Sequence, residues 1–135
     1  MGYLQQWWRR CHRVIKPLPI IGINRWERLA ARYLQQQGLK LITGNYRTKA
    51  GELDLVMKDR QTLVFVEVRY RRYQQWASAE ESVTITKQMK IRKAASQYLL
   101  QHRLTDKIDC RFDVVAINGT LTPPRVNWIQ NAFGQ

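Results

Sequence analysis

Leu4, Trp7, Trp8, Cys11, Val14 and Ile15 recur at helical spacing, with Gln5, Gln6, Arg9, Arg10, His12 and Arg13 between them. This pattern predicts a basic amphipathic helix over residues 3–15, stopped by Pro17 and Pro19. Its apolar face could dock on the protein's own core, on a protein partner or second copy, or on a membrane surface. A second helix starts at Asn24, where Asn24 and Glu27 make a capping-box pattern; Trp26, Leu29, Ala30, Tyr33 and Leu34 form its buried stripe, and Gly38 ends it. Glu27 is therefore either the reciprocal cap or an inward-aimed carboxylate. Leu39 to Tyr46 reads as a strand, followed by the basic loop Arg47-Thr48-Lys49-Ala50-Gly51.

Residues 51–72, GELDLVMKDRQTLVFVEVRYRR, organise the rest of the chain. Leu53, Leu55 and Met57 share one face of a strand by the two-residue period, which sets Glu52, Asp54 and Val56 on the other. In the next run Val64, Val66 and Val68 oppose Leu63, Phe65, Glu67 and Arg69, so both faces are apolar around Glu67 and the strand reads as central. A carboxylate there is costly unless a cation, a metal or a hydrogen-bond network compensates it. A two-residue turn at Arg60-Gln61 sets Asp54 opposite Glu67, close enough for the pair to share one ion.

Tyr70-Arg71-Arg72-Tyr73 interleaves guanidinium groups with rings, a composition suited to phosphates and exposed bases. Thr84 or Thr86 then caps a long helix ending near His102. Ile91, Ala94, Ala95, Tyr98 and Leu99 face inward, while Lys90 and Lys93 turn to water. Lys87 begins the inward stripe, so it either snorkels or points at the sheet. His102 suits a helix C-terminus, where its positive charge would meet the dipole. Cys110 to Ile117 alternates as a strand with Asp113 beside Arg111, and Asn118-Gly119 signals a turn into a strand near Arg125 to Ile129.

The 135 residues carry 23 Lys and Arg against 10 Asp and Glu, a net charge of +13. Such an excess points to a polyanion, nucleic acid before an anionic membrane. Two lone cysteines without ligand spacing and the lack of any long apolar run predict a reduced, cytoplasmic protein with no transmembrane segment. The expected division is residues 1–23, a basic helix and Pro-containing linker, and residues 24–135, one α/β domain.

Glu27, GELDLV at 51–56, VFVEVRYR at 64–71, Lys87 with the helix AASQYL, and RFDVV at 111–115 together resemble the YraN family. That group is regarded as predicted endonucleases similar to archaeal Holliday junction resolvases, within the restriction-endonuclease-like PD-(D/E)xK superfamily. The resemblance implies a restriction-endonuclease-like core: helix, three strands, helix and two strands around a central mixed β-sheet, with the N-terminal helix as an addition. It makes Asp54 and Glu67 metal-binding carboxylates for Mg²⁺ or Mn²⁺, helped by a backbone carbonyl near Val68, and Glu27 the helix glutamate. Leu53 stands where the pattern has proline, and Arg69 where it has lysine. Arginine can stabilise charge on a pentacovalent phosphorane but does not deprotonate water, so Lys87 would take that lysine's place or the metal would activate the water. The implied substrate is structured or branched DNA, with RNA as a secondary candidate. Arg47, Lys49, Arg71, Arg72, Lys90 and Lys93 would hold its phosphates, and a homodimer suits a substrate with two symmetric strands. The alternatives are a non-catalytic nucleic-acid-binding module on the same fold, and an interaction protein recruited through the Trp7 and Trp8 helix.

Overall fold

The computed structural model describes residues 2–13, with side chains through Arg10, together with 22–71, 83–120 and 122–134. The predicted end of the first helix at Val14 and Ile15, the prolines after it, and Arg72 through Ser82 lie outside them.

Three helices and five strands follow the order α1 (Tyr3–Arg13), α2 (Arg25–Gln36), β1 (Lys40–Arg47), β2 (Glu52–Asp59), β3 (Thr62–Arg71), α3 (Ile85–Gln101), β4 (Asp109–Asn118) and β5 (Arg125–Phe133). The sheet runs β1-β2-β3-β4-β5. β1, β2 and β3 are antiparallel neighbours, β4 lies parallel to β3 after the α3 crossover, and β5 returns antiparallel. This is the expected mixed-sheet α/β core, with β3 at its centre.

Helices cover both faces because both faces of β3 and β4 are apolar. Leu63, Phe65, Phe112 and Val114 pack with Ile91, Ala94, Ala95 and Tyr98 of α3 and with Trp7 and Trp8 of α1. On the other face Leu55, Met57, Val64, Val66, Val115 and Ile117 pack with Ala30, Ala31 and Leu34 of α2. Trp7 and Trp8 are only 6% and 5% exposed. Tyr3 Oη donates to the His102 carbonyl at 2.7 Å, and Lys58 Nζ lies 4.2 Å from the Trp8 ring centroid. Of the open choices for the first helix, the structure shows docking on its own core.

The helix ends follow the local sequence. Asn24 Oδ1 accepts from the Trp26 and Glu27 amides, and Glu27 Oε2 accepts from the Asn24 amide, closing the capping box. Thr84 Oγ1 accepts from the Lys87 amide and caps α3.

Three expectations need correction. Leu53 packs with Val56 on the α3 face, not with Leu55 and Met57 on the α2 face. Its β1 neighbour Tyr46 packs on that same face, and Asn45, between the Gly44↔Leu55 and Tyr46↔Leu53 pairs, has φ 49°. This local break in both strands shifts the alternation once, at Asp54. β5 continues past Ile129 to Phe133, because a register shift opposite Phe112 and Val114 absorbs Asn131 at φ 51°. The return strand itself begins at Arg125, opposite Asn118, as expected. His102 sits within an aromatic group of Trp7, Tyr46 and Tyr98, and burial pushes its pKa down, favouring the neutral ring over a dipole-stabilised cation.

No helix among the described residues is long and apolar enough to cross a membrane.

Candidate functional site

The β2–β3 hairpin turns at Arg60 and Gln61, and its pairs run from Asp59↔Thr62 to Leu55↔Val66. One residue further, the same register sets Asp54 opposite Glu67, as the turn length predicts. The ladder stops there. Instead, the Val68 amide donates to Asp54 Oδ2 at 2.9 Å, so the aspartate side chain takes the place of a strand partner.

Glu67 is 4% exposed, and its carboxyl lies within the field of Asp54. Lys87 Nζ stands 3.7 Å and Arg69 Nη1 3.9 Å from the same Glu67 oxygen, Oε1. The lysine comes from the first turn of α3, the arginine from the same strand face two residues on. Burial, and then the negative charge of Asp54, push the Glu67 pKa up to about 8 despite both cations. The site therefore binds a proton where the sequence places two acids, because two nearby cations do not offset desolvation and like-charge repulsion. A divalent cation would relieve the same strain by accepting both carboxylates, and hard oxygen donors suit Mg²⁺ or Mn²⁺.

Glu27 stands one helix away. Its two oxygens accept from the Asn24 amide and from Asn24 Nδ2, both at 3.0 Å. Burial raises its pKa first, and the charges of Asp54 and Glu52 add to the rise. It is thus both the reciprocal cap and a carboxylate within the field of Asp54. Among the described residues no three His, Cys, Asp or Glu side chains come close enough to hold one metal ion, so Glu27 does not complete a three-residue cluster with Asp54 and Glu67.

The basic residues divide by position. Gly51 lies against Lys90: a Cβ on Gly51 would meet the Lys90 Cβ and carbonyl oxygen at 3.4 Å. The Thr48–Gly51 turn, closed by Thr48 Oγ1 and the Gly51 carbonyl at 2.8 Å, therefore sits on α3. This puts the loop bearing Arg47 and Lys49 beside Lys90. Lys49, Lys90 and Lys93 are exposed, while Arg47 pairs with exposed Glu52 at 3.1 Å. Arg71 is half-buried, its carbonyl accepting from the Gly119 amide, and Arg72 lies outside the described residues.

Asp113 belongs elsewhere. Completely buried, it accepts from Arg111, from Trp128 Nε1 and from the Asn131 amide, and Arg111 also reaches Asp59 at 2.8 Å. This network closes the β4–β5 irregularity as a structural ion pair.

The sequence reading passed over two features. Trp26 of α2 stacks on Tyr70 of β3, ring centroids 4.1 Å apart. Arg25, Arg28 and Arg32 line one side of α2, and their three- and four-residue spacing was the available signal.

Comparison with known proteins gives a consistent result. A family model described as "Uncharacterised protein family UPF0102" matches residues 26–117. A UPF0102 protein of Coxiella burnetii (strain RSA 331 / Henzerling II) is 50% identical over 113 residues, covering 84% of this chain and 91% of the relative. A UPF0102 protein of Stutzerimonas stutzeri (strain A1501) is 50% identical over 107 residues, covering 79% and 89%. One from Vibrio parahaemolyticus is 46% identical over 112 residues, covering 83% and 91%.

Proposed function

We propose that this chain, which belongs to the uncharacterised protein family UPF0102, the YraN family of the sequence resemblance, is a metal-dependent endonuclease that hydrolyses phosphodiester bonds in structured or branched DNA. The observation that carries the reading is the pairing of buried Glu67 with half-buried Asp54, faced by Lys87 and Arg69 on a protein of net charge +13. A site made only to bind phosphate is weakened by carboxylates. A metal-dependent site that cuts phosphodiesters uses them to hold its ion.

Asp54 and Glu67 would hold Mg²⁺ or Mn²⁺, which supplies Lewis-acid polarisation of the phosphate and a more acidic water. The Val68 amide fixes one oxygen of Asp54, so that side chain is oriented before any ligand arrives. Lys87 and Arg69 would leave Glu67 Oε1 to stabilise the charge that builds on the pentacovalent phosphorus. Arg47, Lys49, Lys90 and Lys93 would contact the flanking phosphates.

One observation favours a second reading, a nucleic-acid-binding module without catalysis. Lys87 and Arg69 already lie within 4 Å of Glu67, and no third acid completes the ligand set among the described residues. The two readings separate on four-way junctions, flaps, nicked duplexes and single strands incubated with Mg²⁺ or Mn²⁺. Cleavage lost in Asp54→Asn supports the nuclease. A pure protein that binds these substrates but cuts none of them is the module. The recruiting-helix alternative is weakened by the burial of Trp7 and Trp8 in the protein's own core.

A further inference from the structure

We infer that the outer face of α2 is a second nucleic-acid contact surface, a track of three arginines that grips the phosphodiester backbone of the strand passing the Asp54–Glu67 site. The inference rests on the nucleic-acid reading of that site. Arg25, Arg28 and Arg32, with Trp26, Leu29 and Pro124, line an open groove of about 300 Å³. None of the three pairs with a carboxylate among the described residues, and Arg28 Nε is buried without a hydrogen-bond acceptor. A buried guanidinium N–H without an acceptor is costly. Arg28 also lines the groove, so an anion there would accept from the rest of its guanidinium group.

The arrangement favours a chain of phosphates over one small anion. Seven residues of helix span about 10 Å, which matches roughly three nucleotides of one strand at about 3.4 Å each. Arg25 is held over the Trp26 ring, its Cζ 4.4 Å from the centroid, so the guanidinium groups are strung along the helix. The helix that carries the track also reaches the site. Glu27, within the field of Asp54, occupies the inner side of the turn that carries Trp26 and Arg28. Trp26 stacks on Tyr70, which follows Arg69 on β3. Gly119 permits that stack, since a Cβ there would collide with the Tyr70 ring.

The test uses the full chain in EDTA, so that binding is read without cleavage. Anisotropy of a labelled four-way junction and a labelled duplex is followed across a salt series for wild type, for Arg25→Gln/Arg28→Gln/Arg32→Gln, and for the charge-matched Lys40→Gln/Arg60→Gln/Arg103→Gln. Each phosphate contact contributes a slope of about 0.9 in log K against log salt on duplex. The α2 variant should flatten the slope by about two to three and the control by less than one. The double variant Arg25→Gln/Arg32→Gln, which leaves half-buried Arg28 in place, should flatten it by between about one and two. Equal losses in the α2 and control triples overturn the track while leaving the functional reading intact. A wild-type protein that binds neither DNA at low salt overturns both. If phosphatidylglycerol vesicles capture the protein through these arginines while the α2 triple still binds DNA like wild type, the face meets a membrane and the inference fails.

Discussion

Lys87 Nζ approaches Glu67 Oε1 to 3.7 Å, reaching from the first turn of α3 to a carboxylate buried in the central strand. Arg69 reaches the same oxygen at 3.9 Å, yet the lysine does more to lower the Glu67 pKa than the arginine does. On the nuclease reading Lys87 is the working cation. Lys87→Ala should reduce single-turnover cleavage of a junction substrate by about 10² to 10³. Arg69→Ala should cost less, and Arg69→Lys should retain cleavage. A larger loss from Arg69→Ala would transfer the role to the arginine.

The raised pKa of Glu67 fixes a pH dependence. Its folded value of about 8 lies above the ordinary 4.5, so between these values the folded state holds a proton that the unfolded state has released. Stability is therefore fully present below about 4.5 and is lost as pH rises through about 8. In EDTA the melting temperature should decline from pH 5 to pH 9. Glu67→Gln should show less of that decline and melt higher than wild type at pH 9. His102 acts with opposite sign, since its lowered pKa favours folding as pH rises, but it is common to both proteins and cancels in their difference. Parallel curves for the two proteins would mean that Glu67 is already ionised in the fold.

Short-range chemistry was the legible part of this fold. Asn24 and Glu27, Thr84, and the two residues between Asp59 and Thr62 each act on neighbours within a few positions, and each structure formed as their types require. Glu67 was legible because the strand period sets it among apolar neighbours, whereas the helical period left Lys87 open between snorkelling and pointing at the sheet. The faces of Leu53 and Asp54 were not, since they depend on a backbone irregularity at Asn45 in the neighbouring strand. Asp113 was readable as Arg111's partner but not as the acceptor for Trp128 and Asn131, which approach only after β5 has folded back. An amphipathic helix announces that it needs an apolar surface without saying whose. The destination of Trp7 and Trp8 was therefore open until the structure placed them beside Tyr98 and Phe65.

That placement predicts a structural role for α1. Truncating a buried tryptophan commonly costs about 3 to 5 kcal/mol. Trp7→Ala should lower the melting temperature by roughly 10 to 20 °C, while DNA affinity measured well below the transition stays at the wild-type value. Loss of binding by a variant that is still folded would show that α1 serves a partner as well as the core.

The last prediction concerns metal and stability without reference to cleavage. If Asp54 and Glu67 hold a divalent ion only in the folded protein, millimolar Mg²⁺ or Mn²⁺ should raise the melting temperature; a ligand at 100 times its Kd contributes about 2.7 kcal/mol. The gain should grow with pH toward 8, because the ion must displace the proton that burial and Asp54 keep on Glu67. Asp54→Asn separates the contributions. It removes the negative charge that raises the Glu67 pKa and keeps a side-chain oxygen for the Val68 amide, so the metal-free variant should melt at or above wild type at pH 8. It should gain little from metal, having lost an anionic ligand. A wild-type midpoint unmoved by either ion, with Glu67→Gln less stable than wild type from pH 5 to pH 9, would make the acids structural partners of Lys87 and Arg69 and leave the binding module as the better reading.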